Sequence, residues 1–401
     1  MERARHRSWV KAPLALAILG LTVASALNAY SNRWRIADPD RTLRWRPDDS
    51  VALTLRQDQR QALVPLTPEG AIALAETARR ALRSDPLSAP ALRQIAVAEG
   101  MANRPAASYH LLRLSHRVTR RDLGTSWLLI EAGLETGDTA AILPYFDEAL
   151  TTNLIAPDLL FPALTAALFD SALRAGLVPY VRQVSVWMPG FLRYAITSEG
   201  TEANVADLVL RAGGLPRVPL YSGLDARILN SLAERGEFAL AGSYLRGMLG
   251  GSGNVATDIR VTPATTNGDL GLFGWTLYDQ EELSAQREED GQIGVRVAPD
   301  QQGRVALRTL MLPPGRYRLE QRLSTPSGIV PARGHWELVC LPARAGGGLW
   351  SLDMPPRAEA TYVGTFEIPM DCPAQQLALS VRNDGDQGDA GLLVSLALTR
   401  L

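Results

Sequence analysis

The chain has 401 residues, 46% of them apolar, which is enough for two or three packed domains. Its 41 basic and 42 acidic side chains nearly cancel, and no basic stripe stands out, so nucleic acid is excluded as a partner. Lys11 is the only lysine, and two cysteines, Cys340 and Cys372, lie in the last quarter of the chain.

Residues 1–11 carry Arg3, Arg5, Arg7 and Lys11, and residues 12–27, APLALAILGLTVASAL, carry no charge. As a helix those sixteen residues span about 24 Å, short of a bilayer core of about 30 Å unless Asn28, Ala29 and Tyr30 contribute. A basic flank before a short apolar run reads as a signal anchor, or as a signal peptide cleaved after Ala24-Ser25-Ala26, over residues 1–30. Arginines follow on the far side too, at positions 33, 35, 41, 44 and 46, so basic-residue counting alone does not orient the segment. The short basic tail and the paired cysteines favour a cytoplasmic N-terminus. The expected location is then a bacterial inner membrane, single-pass, with the bulk of the chain periplasmic. The alternative is secretion to the periplasm after cleavage.

Residues 31–66 read as an irregular linker, broken by Pro39, Pro47 and Pro65. Thr67-Pro68 then opens a helix, with Thr67 as N-cap. Ala71, Leu74, Ala75, Ala78 and Leu82 follow at helical spacing. From Asp85 a repeat is expected. Helices start at Asp85, Asp122 and Asp158 and end at Gly100, Gly137 and Gly176, each glycine supplying a left-handed turn. Second helices follow over 106–118, 139–150 and 178–186. Together with Leu232 to Ala241, which reads as a helix–turn–helix, this stretch resembles the tetratricopeptide repeat family. The resemblance covers residues 67–246 and implies an α-solenoid whose concave face holds a protein partner. A helical spacer without a partner is the other reading.

Residues 247–256 form a glycine-rich linker. Beyond it the period changes to two. In Arg316 to Leu323, Tyr317, Leu319 and Leu323 share one face, and Arg316, Arg318, Glu320 and Arg322 the other. Around eight such strands, separated by Pro-Gly and Asn-Asp-Gly turns, predict an antiparallel β-sandwich over 257–401. With Phe273 to Leu277 at its entrance and a final strand Leu392 to Leu398, it resembles a jelly-roll carbohydrate-binding module. The fold class is therefore multidomain α + β. The resemblance implies a polysaccharide ligand, and Trp275, Tyr278, Trp350 and Tyr362 are the candidate stacking residues, with Trp336 read as packing.

Export and the absence of competing thiols predict a Cys340–Cys372 disulfide. Asp384, Asp386 and Asp389, crowded between two strands, are candidate calcium ligands, although the spacing is not that of an EF-hand. No HExxH, paired CxxC or phosphate loop occurs, and the four histidines, His6, His110, His116 and His335, are scattered. No cofactor is expected. Glu281-Glu282 and Glu288-Glu289-Asp290 read as solvated loops rather than a glycosidase pair. The expected function is that of a non-enzymatic accessory protein of exopolysaccharide or cell-surface glycan assembly and export. The alternative is a purely structural protein–protein scaffold.

Overall fold

A computed structural model describes residues 3–137, 139–250, 255–342, 348–385 and 388–401; the side chains of residues 3–16, 27, 139 and 140 lie outside that description. The chain forms two compact units, Met1–Leu160 and Phe161–Leu401.

The first unit is helical: α1 (Arg3–Ala37), α2 (Pro39–Trp45), α3 (Ser50–Leu63), α4 (Pro68–Ser84), α5 (Ala89–Met101), α6 (Pro105–Val118), α7 (Leu123–Thr136) and α8 (Thr139–Thr152), then α9 (Ala156–Ala167), within which the boundary falls. Residues 31–66 are thus largely helical rather than irregular. Pro47 and Pro65 do lie between helices, but Pro39 starts one: it follows N-cap Asp38, whose carboxylate accepts from the Arg41 N–H at 2.9 Å. Asp49 caps α3 in the same way, through the Ala52 N–H at 3.0 Å. Thr67 and Asp122 cap α4 and α7 as the sequence indicates. The apolar run of residues 12–27 lies inside α1, and Ile18, Leu19, Leu21 and Val23 are exposed. Among the described residues no helix is long and apolar enough to cross a membrane.

The helix spacing differs from that read off the glycines. Helices α5 and α7 begin 34 residues apart, at Ala89 and Leu123, and so do α6 and α8, at Pro105 and Thr139. Gly137 ends α7 with φ 70°, as expected, but Gly100 is an ordinary helical residue and Asn103, with φ 56°, makes the left-handed turn. Asp85 belongs to the turn before α5, whose N-cap is Ser88.

Arg93 on α5 ties the unit together. Its guanidinium bonds both oxygens of Asp58 on α3, at 3.1 and 2.7 Å, and donates Nε to Asp122 at 2.8 Å. Burial alone would lower its pKa, but the two carboxylates outweigh that and raise it. His116 pairs with Glu148 at 2.5 Å and meets Tyr145 edge-on.

The second unit continues with α10 (Ser171–Arg182), α11 (Met188–Ile196), α12 (Glu202–Ala212), α13 (Leu224–Glu234) and α14 (Phe238–Met248). Gly176 sits inside α10, so the third helical unit expected from Asp158 to Gly176 is divided by a turn at 168–170. The helix–turn–helix read from Leu232 to Ala241 is present, with Gly236 at φ 77° between α13 and α14.

The sandwich comprises β1 (Thr276–Leu277), β2 (Leu283–Arg287), β3 (Ile293–Val297), β4 (Gln302–Leu310), β5 (Gly315–Ser324), β6 (Val330–Pro331), β7 (Arg333–Leu341), β8 (Gly348–Met354), β9 (Glu359–Ile368), β10 (Ala374–Arg382) and β11 (Ala390–Arg400). One sheet runs β1-β4-β10-β7-β8, the other β2-β3-β11-β5-β9 with β6 added beside β11. Every pairing is antiparallel except β6 with β11. The alternation in β5 places Tyr317, Leu319 and Leu323 in the core, where they meet Trp336, Leu377, Leu379, Leu392 and Val394. Each such side chain contributes about 1.5–3 kcal/mol on burial.

Residues 251–254 of the linker lie outside the described residues, but Val255 and Ala256 are held. Their carbonyls accept from Arg308 Nη2 at 2.6 Å and from the Met311 N–H at 2.8 Å. On α13, Asn230 Oδ1 accepts from the Leu272 N–H at 2.8 Å, joining helix and sandwich within one unit.

Candidate functional site

Cys340 at the end of β7 and Cys372 before β10 are bonded, with Cα atoms 5.6 Å apart and a sequence separation of 32. Strands β7 and β10 are neighbours in register Gln375↔Cys340, which brings Cys372 to its partner.

The four candidate stacking residues do not form a platform. Trp275 is buried, its Nε1 donating to the Ile259 carbonyl at 3.2 Å and its ring 6.3 Å from that of Trp336. Trp350 faces the core, 5.9 Å from the Phe366 ring, and lies over Gly364, where a Cβ would come within 2.6 Å of the indole. Tyr362 points the same way, its hydroxyl buried and unpartnered. Tyr278 is half-buried between β1 and β2. Among the described residues of the sandwich no aromatic side chain is exposed. Trp350 and Tyr362 fall on core-facing positions of β8 and β9, and Trp275 and Tyr278 flank β1 without being exposed.

The aspartate cluster is likewise occupied. Asp384 pairs with Arg382 and with Arg333, the latter at 3.3 Å, and Asp389 accepts from Arg296 Nε at 2.6 Å. Asp386 lies outside the described residues. Among the described residues no three metal-ligating side chains gather.

The polar face that does assemble is the outer surface of the five-stranded sheet. Because Leu377, Leu379 and Val381 of β10 and Trp336, Leu338 and Cys340 of β7 point inward, their alternate neighbours point out. Register then builds two rows. One sets Gln302, Arg382 and Arg333 side by side on β4, β10 and β7. The next sets Arg304, Ser380, His335 and Asp353 side by side on β4, β10, β7 and β8. Cross-strand neighbours are about 4.8 Å apart and the rows about 7 Å apart. An open groove of about 450 Å³ runs over this face, lined by Gln302, Arg333, His335, Asp353, Ser380 and Arg382.

Three contacts fix the side chains. Asp384 holds the two guanidiniums of the first row, and His335 Nδ1 meets Asp353 Oδ1 at 2.7 Å. The face offers hydroxyl, amide, imidazole, guanidinium and carboxylate groups together, a set that matches a polyhydroxylated ligand. Ser380, His335 and Asp353 are also the residue types of a nucleophilic triad. The catalytic aspartate of such a triad is buried, whereas the Asp353 side chain is 88% exposed, and Ser380 makes no hydrogen bond to His335. The sequence held one signal of this face: polar residues alternating with Trp336, Leu379 and Val381. Such a pattern reads as a solvated face until the register aligns it.

No family model matches the chain, and no curated protein matches it. Among solved structures, the sandwich is similar to TmCBM61, solved in complex with β-1,4-galactotriose (13% identity, 36% of this chain and 100% of that one, TM-score 0.26). It is similar too to the N-terminal cellulose-binding domain of Cellulomonas fimi β-1,4-glucanase C (15% identity, 36% of this chain and 98% of that one, TM-score 0.24). Tailspike protein 4 of bacteriophage CBA120 is a third (8% identity, 36% of this chain and 22% of that one, TM-score 0.25).

Proposed function

We propose that this chain is a non-catalytic accessory protein of the bacterial envelope that binds a polysaccharide on the outer face of its five-stranded sheet and takes part in glycan assembly or export. The observation that carries the glycan half is the open groove in which β4, β7, β8 and β10 present hydrogen-bonding side chains in two registered rows. With no exposed aromatic among the described residues of the sandwich, the ligand is held by hydrogen bonds to a polar sheet rather than by ring stacking. The repeating helical hairpins suit a docked protein partner. The basic N-terminus and the apolar run that follows support an inner-membrane anchor with the bulk of the chain in the periplasm.

The test is glycan-array binding by the full chain, with Ser380→Arg as the matched variant. Binding to a polysaccharide class that Ser380→Arg abolishes, at an unchanged thermal midpoint, supports the proposal. Wild-type protein that binds no glycan, or a variant that binds equally well, removes the glycan half and leaves the purely structural scaffold. Ester or glycoside hydrolysis that depends on Ser380 would overturn the non-catalytic reading.

A further inference from the structure

A second cavity of the Phe161–Leu401 unit, about 460 Å³, lies between α14 and one end of the sandwich and is separate from the groove. Much of its wall is aliphatic: Leu245 from α14 and Leu249 just after it, Met311 and Pro313 from the β4–β5 turn, and Leu398 from β11. Helix α14 comes this close because residue 242 is glycine; a Cβ there would stand 2.8 Å from Met311 Cε.

Two guanidiniums line the same cavity from separate elements, Arg246 on α14 and Arg400 on β11, and among the described residues no acidic side chain lines it. Neither arginine pairs with a carboxylate among the described residues. Arg246 Nη2 donates to Ser243 Oγ at 3.1 Å, and Arg400 Nη2 to the Pro314 carbonyl at 2.8 Å. Elsewhere in this unit arginines such as Arg174, Arg235 and Arg296 are neutralised by aspartate or glutamate. The Tyr317 hydroxyl already donates to the Pro313 carbonyl at 2.7 Å. Like charges on one cleft without a counter-charge favour an incoming anion, which gains charge-assisted hydrogen bonds. The aliphatic walls give that anion's body an apolar surface. A neutral saccharide would leave both features unused.

We propose that this cleft binds a small amphiphilic carboxylate, its head group on Arg246 and Arg400 and its aliphatic body on Leu245, Leu249, Met311 and Leu398. The site is independent of the glycan groove, and the failure of either leaves the other standing.

Octanoate is the probe, titrated into the full chain at low salt and followed by saturation-transfer NMR and calorimetry. A Kd of about 1 mM is expected for a ligand of this size. Octylamine should bind at least tenfold more weakly. The Arg246→Gln/Arg400→Gln variant should lose at least tenfold in octanoate affinity at an unchanged thermal midpoint, since both side chains are exposed. The exposed Arg316→Gln control should lose nothing. Should the glutamine pair lower the thermal midpoint, Arg246→Lys/Arg400→Lys decides: retained octanoate binding supports the site and lost binding overturns it. The proposal is also overturned if octylamine binds as well as octanoate, if the glutamine pair keeps full affinity, if Arg316→Gln weakens binding equally, or if about 10 mM octanoate gives no signal.

Discussion

The helical unit and the sandwich each bury an arginine, and they do so by opposite means. Arg93 sits between Asp58 and Asp122, so its charge is matched by two carboxylates and its pKa is raised. Arg308, fully buried in β4, pairs with no carboxylate among the described residues. Its guanidinium reaches the carbonyls of Val255 and Arg260 and lies 5.7 Å from the Trp275 ring, and burial pulls its pKa down to about 10. In the helices the buried cation joins α3, α5 and the start of α7. In the sandwich it straps the segment arriving from α14, and cross-linking is left to a disulfide.

Removing the cation from the helical unit should have the largest effect. Arg93→Leu leaves Asp58 and Asp122 facing each other with no counter-charge, and a loss of about 3 kcal/mol is expected from denaturant unfolding. A loss below about 1 kcal/mol would mean that water already screens the carboxylates, and the contrast with Arg308 would disappear. Cys340→Ala/Cys372→Ala should lower the stability of the sandwich by about 3–4 kcal/mol, the loop-closure value for a bridge of this span. The helical unit should keep its own transition under reductant. A single transition moving as one would show that the two units do not unfold separately.

Arg308→Met sharpens the comparison through its pH dependence. Below pH 10 the guanidinium is charged in both the folded and unfolded states, and the folded state bears the whole burial penalty. Between about pH 10 and the higher range of an ordinary guanidinium the folded protein releases the proton while the unfolded chain keeps it, so the penalty is progressively relieved. Relative to Arg308→Met, the wild type should therefore gain about 1 kcal/mol between pH 8 and pH 11. A difference between the two that stays flat over that range would show that the guanidinium is solvated.

These contrasts also mark what the sequence made legible. The two-residue period of Arg316–Leu323 is enough to place β5 and its core face, and the cysteine pair is enough for the bridge. The same period hides Gln321, a polar residue on the core side of β5 that is 1% exposed. Pro39 and Pro68 are the same signal, proline at a helix start, yet only the second follows a visible apolar repeat. That is why residues 31–66 read as irregular and residues 68–84 as helix. Gly100 misleads because a glycine in a helix and a glycine after one look alike until a neighbour, here Asn103, takes the left-handed turn. The groove was the least legible feature. Ser380, His335 and Asp353 are far apart in sequence, and only the pairing of β10 with β7 and of β7 with β8 makes them neighbours.

The smallest expected effect on stability therefore tests the groove most cleanly. His335 and Asp353 form an exposed pair, with side chains 42% and 88% accessible, and exposed ion pairs contribute little to folding. His335→Ala should leave the thermal midpoint within about 1 °C of wild type. The same change removes a donor and an acceptor from the centre of the second row and frees Asp353 from its only hydrogen-bonded partner in the row. Retention on whatever polysaccharide the wild type binds should fall at least tenfold, because a hydrogen-bonding face without stacking aromatics has no second source of affinity there. Ser380→Ala, which removes one hydroxyl, should reduce retention less than His335→Ala. A large drop in thermal midpoint for His335→Ala would make the row a structural strut of the sheet. Equal retention by both variants and the wild type would move the glycan contact off this face altogether.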